Sequence, residues 1–115
     1  MREIVIVAVY NTIDRIYEYT YSADPDYGGG GGDVYLDYLE ASIIPYTQEH
    51  YRVQTEQPNM GILGSSLGGL ISCYAGWTRA SVYSRAGCMS SSFWWNSEDF
   101  NNDILVNRPA PSTKT

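Results

Sequence analysis

Gly64, Ser65, Ser66, Leu67 and Gly68 form a G-x-S-x-G pentapeptide between a short apolar run, Met60 to Gly64, and a stretch of helical character, Leu67 to Trp77. In that setting a serine occupies a turn from strand to helix so sharp that its backbone is strained and its hydroxyl stands clear for attack on an acyl carbon. Gly64 and Gly68 flank it because a larger side chain at either place is expected to collide across the turn. The N–H of Leu67, first in the helix, is aimed at the oxyanion that such an attack creates. Gly69 is expected to bring the helix close to the strand. The bare pentapeptide occurs by chance in a few per cent of chains of this length, and the strand before it and the helix after it make it more than a packing turn.

A serine nucleophile needs a base, and the sole histidine, His50, precedes it in the chain. His50 falls between the end of a helix and the amino end of the second strand, whereas Ser66 leaves that strand at its carboxyl end. The five-residue strand between them is about 17 Å long, beyond a base's hydrogen-bond reach. His50 therefore reads as a surface or packing residue. Glu98, Asp99 and Asp103 follow the serine, but without a histidine a carboxylate activates a serine poorly at neutral pH. Asn11, Asp14, Trp94 and Trp95 follow the carboxyl ends of the first and third strands, where open α/β sheets bind ligands, so they are candidates to line a pocket beside Ser66. Packing of the sheet end accounts for the two tryptophans equally well.

The elements that must position these groups alternate. Ile4 to Tyr10 is an apolar, β-branched run that predicts a strand buried on both faces. The glycine run Gly28 to Gly32 predicts a flexible loop. Asp33 is placed to cap a helix from Val34, whose stripe of Leu36, Leu39, Ile43 and Tyr46, widened by Val34, Tyr35 and Ile44, packs on a sheet. Pro45 predicts a kink or an early end. Met60 to Gly64 is the second strand, Leu67 to Trp77 a helix with small residues on one side, Arg85 to Ser90 the third strand, and Asp99 to Val106 a last helix. This order predicts an α/β fold with a small, mostly parallel sheet and flanking helices in three layers, one core over residues 1–108 and a frayed tail over 109–115.

With these stretches in view the chain resembles the putative-esterase group of α/β-hydrolases, the esterase D and enterochelin-esterase kind. The resemblance is carried by Gly61 to Leu70 around the pentapeptide, and by Val7 to Asn11 with Arg15, Glu18 and Tyr19. It extends over Gly32 to Asp37 with Ile44, Pro45, Tyr46, Tyr51 and Arg52, and over Ser90 to Trp95. It implies a truncated, central portion of that fold, with Ser66 as nucleophile and Leu67 at the oxyanion. In such hydrolases earlier sequence supplies further strands and an oxyanion loop. Later sequence supplies the triad acid and then the histidine.

Composition bounds the remaining classes. A chain of 115 residues makes one domain that buries roughly two-thirds of its unfolded surface. With 43% apolar, 14% aromatic and 17% charged residues it is a packed protein rather than a disordered one. A net charge of −6 leaves no basic face for nucleic acid or an anionic membrane, so neither is expected as a partner. The opening residues do not make a signal peptide, and no segment is long enough to span a bilayer. Cys73 and Cys88 lack metal-ligand or redox spacing and read as buried free thiols, so no metal or other cofactor is expected. The leading expectation is a serine hydrolase of small acyl esters that assembles with further copies through bare sheet edges. The alternative is a non-catalytic remnant or an aromatic-rich binding module, suggested by eleven tyrosines and three tryptophans. A phosphate loop at Gly28 to Gly32 is disfavoured, since Asp33 puts a negative charge where the phosphate would sit.

Overall fold

The structure, a computed structural model, describes residues 3–108; the tail expected over 109–115 lies outside them. The elements run α1 (Arg15–Glu18), a small antiparallel pair β1 (Ala23–Asp24) and β2 (Gly28–Gly29), α2 (Gly32–Tyr38), α3 (Ile44–His50), β3 (Gly61–Ser65), α4 (Leu67–Thr78), β4 (Arg85–Met89), α5 (Trp95–Asp99) and α6 (Leu105–Asn107). β3 and β4 pair in parallel, from Gly61 opposite Arg85 to Ser65 opposite Met89, with α4 as the crossover. This is a small α/β fold with a short parallel sheet and flanking helices, as the alternation predicts. No helix of the described residues is long and apolar enough to cross a membrane.

The first expected strand does not form. Residues 4–10 carry no ladder, and Ile4, Val5, Ile6, Val7 and Tyr10 are exposed. A central parallel strand needs apolar cover on both faces. Here α4 covers the face bearing Ile62, Gly64, Ala86 and Cys88, while the opposite face leaves Leu63 68% and Met89 53% exposed. A third strand would extend that uncovered face.

Small residues bring α4 close to the sheet. Gly69, Cys73 and Gly76 recur at helical spacing, and a Cβ on Gly76 would lie 2.6 Å from that of Ala86. Midway along this ridge Cys73 is joined to Cys88 of β4 in a disulfide with its Cα atoms 5.7 Å apart, which corrects the expectation of free thiols. Cysteine spacing could not reveal it, since the pairing depends on the helix-to-strand approach. The other side of α4 buries Leu67, Leu70, Ile71, Tyr74 and Ala75 in a core with Leu36, Leu39, Tyr83, Trp95, Phe100 and Ile104.

Pro45 does not end the second helical stretch. A π-helical turn at Leu39–Ile43 joins α2 to α3, and absorbs the N–H that proline lacks and the clash of its ring with the preceding turn. The wider turn shifts the stripe by one residue. Leu36, Leu39 and Ile43 face inward as expected, but Thr47 is buried in place of Tyr46, and Val34 is exposed. Gly31, not Asp33, is the cap of α2; the Asp33 carboxylate instead accepts from Tyr74 Oη at 2.9 Å and pairs with Arg79 at 3.0 Å. Arg79 also reaches Asp37 at 2.7 Å and Glu40 at 3.1 Å, tying the end of α4 to the other helical stretch. The glycine run is exposed at Gly28 and buried at its far end, where the N–H groups of Gly31 and Gly32 bond Tyr17 and Thr20 carbonyls at 2.9 and 2.7 Å.

Burial raises the pKa of several tyrosines, and pushes that of Tyr83 up to about 12, with Glu40 adding to the effect. An unfolded tyrosine ionises near pH 10. The folded chain thus holds its proton more tightly between about pH 10 and 12, and stability that is full below that window declines as pH rises through it. We expect the thermal midpoint to fall over this range, and to fall less steeply in Tyr83→Phe. Superimposable pH profiles for the two would contradict the assignment.

Candidate functional site

Strand β3 ends at Ser65 and α4 starts at Leu67, so the whole change of direction is borne by Ser66. Its backbone sits at φ 58° and ψ −121°, a combination that residues with a side chain rarely adopt. Three backbone bonds hold it there. Its N–H donates to the Met89 carbonyl at 3.0 Å, while its own carbonyl accepts from Leu70 at 3.0 Å and from Ser92 at 3.2 Å. The side chain is exposed at the carboxyl end of the parallel pair. Leu67 contributes the first of the N–H groups that a helix start leaves without an internal acceptor. The strand, the strained Ser66 and the helix start thus lie in the order that the pentapeptide predicts.

The glycines divide differently from expectation. A Cβ on Gly64 would overlap the carbonyl of Gly68, so glycine is obligatory there. At Gly69 a Cβ would lie 2.5 Å from Ser91 Oγ and 3.0 Å from the Met89 carbonyl. At Gly68 it would meet open space, which corrects the expected collision. The crowding across the turn is between the Gly64 side and the Gly68 backbone, and Gly68 itself points away.

Ser66 Oγ has one side-chain neighbour among the described hydrogen bonds, Ser92 Oγ at 3.2 Å. Ser92 is 5% exposed. It was missed in the sequence because a serine beside serines carries no motif; its signal was its place just beyond the carboxyl end of the strand paired with β3. Trp95, considered for a pocket wall, is 1% exposed and anchors this turn, donating from its indole N–H to the Ser22 carbonyl at 3.0 Å and from its backbone N–H to that of Ser92 at 3.1 Å. Trp94 is exposed and stands edge-on to Tyr27, ring centres 5.9 Å apart. Asn11 and Asp14 are exposed and engage Thr12, not Ser66. Asp14 lines a separate hollow with Tyr17, Glu18, Val34 and Tyr35.

His50, Asp99 and Asp103 are engaged elsewhere. His50 Nδ1 lies 2.9 Å from the Tyr46 carbonyl, and its ring stacks on Tyr46 at 4.0 Å. Asp99 accepts from Tyr21 Oη at 2.5 Å, from Ser22 Oγ at 2.6 Å and from Asn96 Nδ2 at 2.8 Å. Desolvation makes the Tyr21 phenol harder to ionise, and the bond to Asp99 makes it harder still. This network fixes Asn96, Ser97 and Glu98, all in the left-handed region, beneath Trp95. Asp103 accepts from Asn107 at 2.9 Å. None of these carboxylates or His50 bonds Ser66 among the described residues.

Comparison with known proteins shows a family. A family model described as "Putative esterase" matches residues 2–114. The chain is 36% identical over 85 residues to the uncharacterized protein YbbA of Bacillus subtilis, covering 74% of this chain and 33% of that protein. It is 37% identical over 70 residues to the siderophore triacetylfusarinine C esterase of Aspergillus fumigatus, covering 61% of this chain and 24% of that one. Among solved structures it is similar to the siderophore hydrolase EstB of Aspergillus nidulans, with a TM-score of 0.67 and 28% identity, over 81% of this chain and 32% of the other. The BES protein of Bacillus cereus shares the fold, with a TM-score of 0.73 at 20% identity, over 87% of this chain and 38% of the other. The chain thus spans about a third or less of the length of its curated relatives.

Replacing Gly64 by alanine is expected to cost about 2 kcal/mol or more, the range for a backbone overlap. Gly68→Ala is expected to be neutral or to stabilise by up to about 1 kcal/mol, because alanine is the better helix former. Urea unfolding of both variants checks this, and equal losses would contradict the asymmetry.

Proposed function

This chain belongs to the esterase family whose model spans residues 2–114, and from that membership we propose that it works as a serine carboxylic-ester hydrolase with Ser66 as nucleophile. The observation that carries the reading is the strained backbone of an exposed Ser66 between strand and helix. Ser66 Oγ attacks the acyl carbon and the carbonyl oxygen becomes an oxyanion received by Leu67 N–H. The alcohol departs with a proton, and water then attacks the acyl-serine to release the acid and restore the hydroxyl. Small acyl esters are the proposed substrates, because Ser66 stands exposed at the carboxyl end of the parallel pair.

The general base is the part not found beside Ser66. His50 is bound to Tyr46, and the acids following Ser66 are occupied by other partners or stand apart from it. We assign the base to a group outside the described residues, on a longer parent chain or a second subunit. The apolar strip of Ile4 to Val7 and the exposed Leu63 and Met89 support self-association across the sheet. Sedimentation is expected to show a dimer or larger species at micromolar concentration, and a monomer throughout would overturn that assembly.

The same absence favours one competing reading, a hydrolase remnant that binds without turnover. Hydrolysis of p-nitrophenyl acetate and butyrate separates the two, with triacetylfusarinine C added because a relative is named for it. The expected result is saturable hydrolysis in the wild type and in His50→Ala, lost at least a hundredfold in Ser66→Ala. Rates at the background level for all three would leave the remnant reading in place.

A further inference from the structure

Ser92 is bound to the candidate nucleophile twice, by its N–H to the Ser66 carbonyl and by its hydroxyl to Ser66 Oγ, each at 3.2 Å. The two hydroxyls are in unequal surroundings. Ser66 is exposed and can bond water, whereas Ser92 is 5% exposed and its hydroxyl has no other partner among the described residues. A buried donor left unsatisfied is costly, so the proton of Ser92 is directed to Ser66 Oγ rather than the reverse. That leaves the Ser66 proton pointing outward, toward the side from which a base approaches, and keeps a lone pair free for attack.

Ser92 can do this because its own position is fixed. It follows β4 by a turn through Ser90, whose φ is 45°, and its carbonyl is held by the backbone of the buried Trp95. Ser91, next to it, offers the contrast: its hydroxyl is buried against Gly69 with no hydrogen-bond partner. Of these two adjacent serines with buried hydroxyls, only Ser92 contacts Ser66.

We propose that Ser92 is a positioning residue, whose buried hydroxyl donates to Ser66 Oγ, holds that side chain in one rotamer and turns its proton outward. The proposal rests on the esterase reading for its catalytic consequence but not for its geometry. Two measurements therefore test it separately, on wild type, Ser92→Ala, Ser92→Thr and Ser91→Ala. The Hα–Hβ scalar couplings of Ser66 are expected to report one rotamer in the wild type, Ser92→Thr and Ser91→Ala, and averaging over wells in Ser92→Ala. In p-nitrophenyl acetate hydrolysis kcat is expected to fall about fivefold in Ser92→Ala with KM within about twofold, the loss of one hydrogen bond, and to be kept in Ser91→Ala. A purely structural role would lower the melting temperature of Ser92→Ala without averaging the couplings. A single Ser66 rotamer in Ser92→Ala overturns the proposal. If the wild type shows no hydrolysis while the couplings respond as stated, the esterase reading fails and the positioning role stands.

Discussion

A residue at φ 58° and ψ −121° carries about 1–3 kcal/mol of strain and keeps it only where its surroundings over-determine the backbone. At Ser66 that determination comes from both sides of the turn. The strand before it is tied by a parallel ladder to Arg85–Met89, and the helix after it starts at once, with Gly64 so near the Gly68 backbone that no Cβ fits between. Much else in the molecule serves this approach. Gly69 and Gly76 let the helix lie against the sheet, the Cys73–Cys88 bridge joins the two elements between them, and the Met89 carbonyl and Ser92 N–H catch Ser66 from the neighbouring strand's end.

The opposite face of the helix explains why a short chain can hold such a turn. Leu67, Leu70, Ile71, Tyr74 and Ala75 enter one core with Leu36, Leu39, Trp95, Phe100 and Ile104, and Arg79 closes its end across three carboxylates. Burial of that apolar set is the main favourable term and offsets local strain. Trp95 does double duty, filling the core and fixing the turn that carries Ser92 through its bonds to Ser22 and Ser92. Asp99, which follows Ser66 in the chain, is spent on the Tyr21, Ser22 and Asn96 network that supports Trp95.

What could be read from the sequence was local. The pentapeptide, the strand before it, the helix after it and the neighbouring strand follow from periodicity and glycine placement, and all appear within a residue or two of their expected bounds. What could not be read depended on distant partners. The run from Ile4 to Tyr10 has the composition of a buried strand, yet whether it joins a sheet depends on cover for the Leu63 and Met89 face. The free-thiol reading of Cys73 and Cys88 failed because helix-to-strand distance is not written in spacing. Tyr46 gave way to Thr47 because a π-helical turn ahead of Pro45 changes the period that the stripe assumes. Ser92 became visible only when the carboxyl ends of the two paired strands were brought together.

The central claim is that this architecture makes Ser66, among many exposed hydroxyls, the reactive one. Treatment of the folded chain with a fluorophosphonate, followed by peptide mass mapping, tests it directly. The account predicts one adduct, on Ser66, absent from Ser66→Ala and from unfolded protein. An adduct at another hydroxyl, or none under conditions that label a serine hydrolase standard, would contradict it.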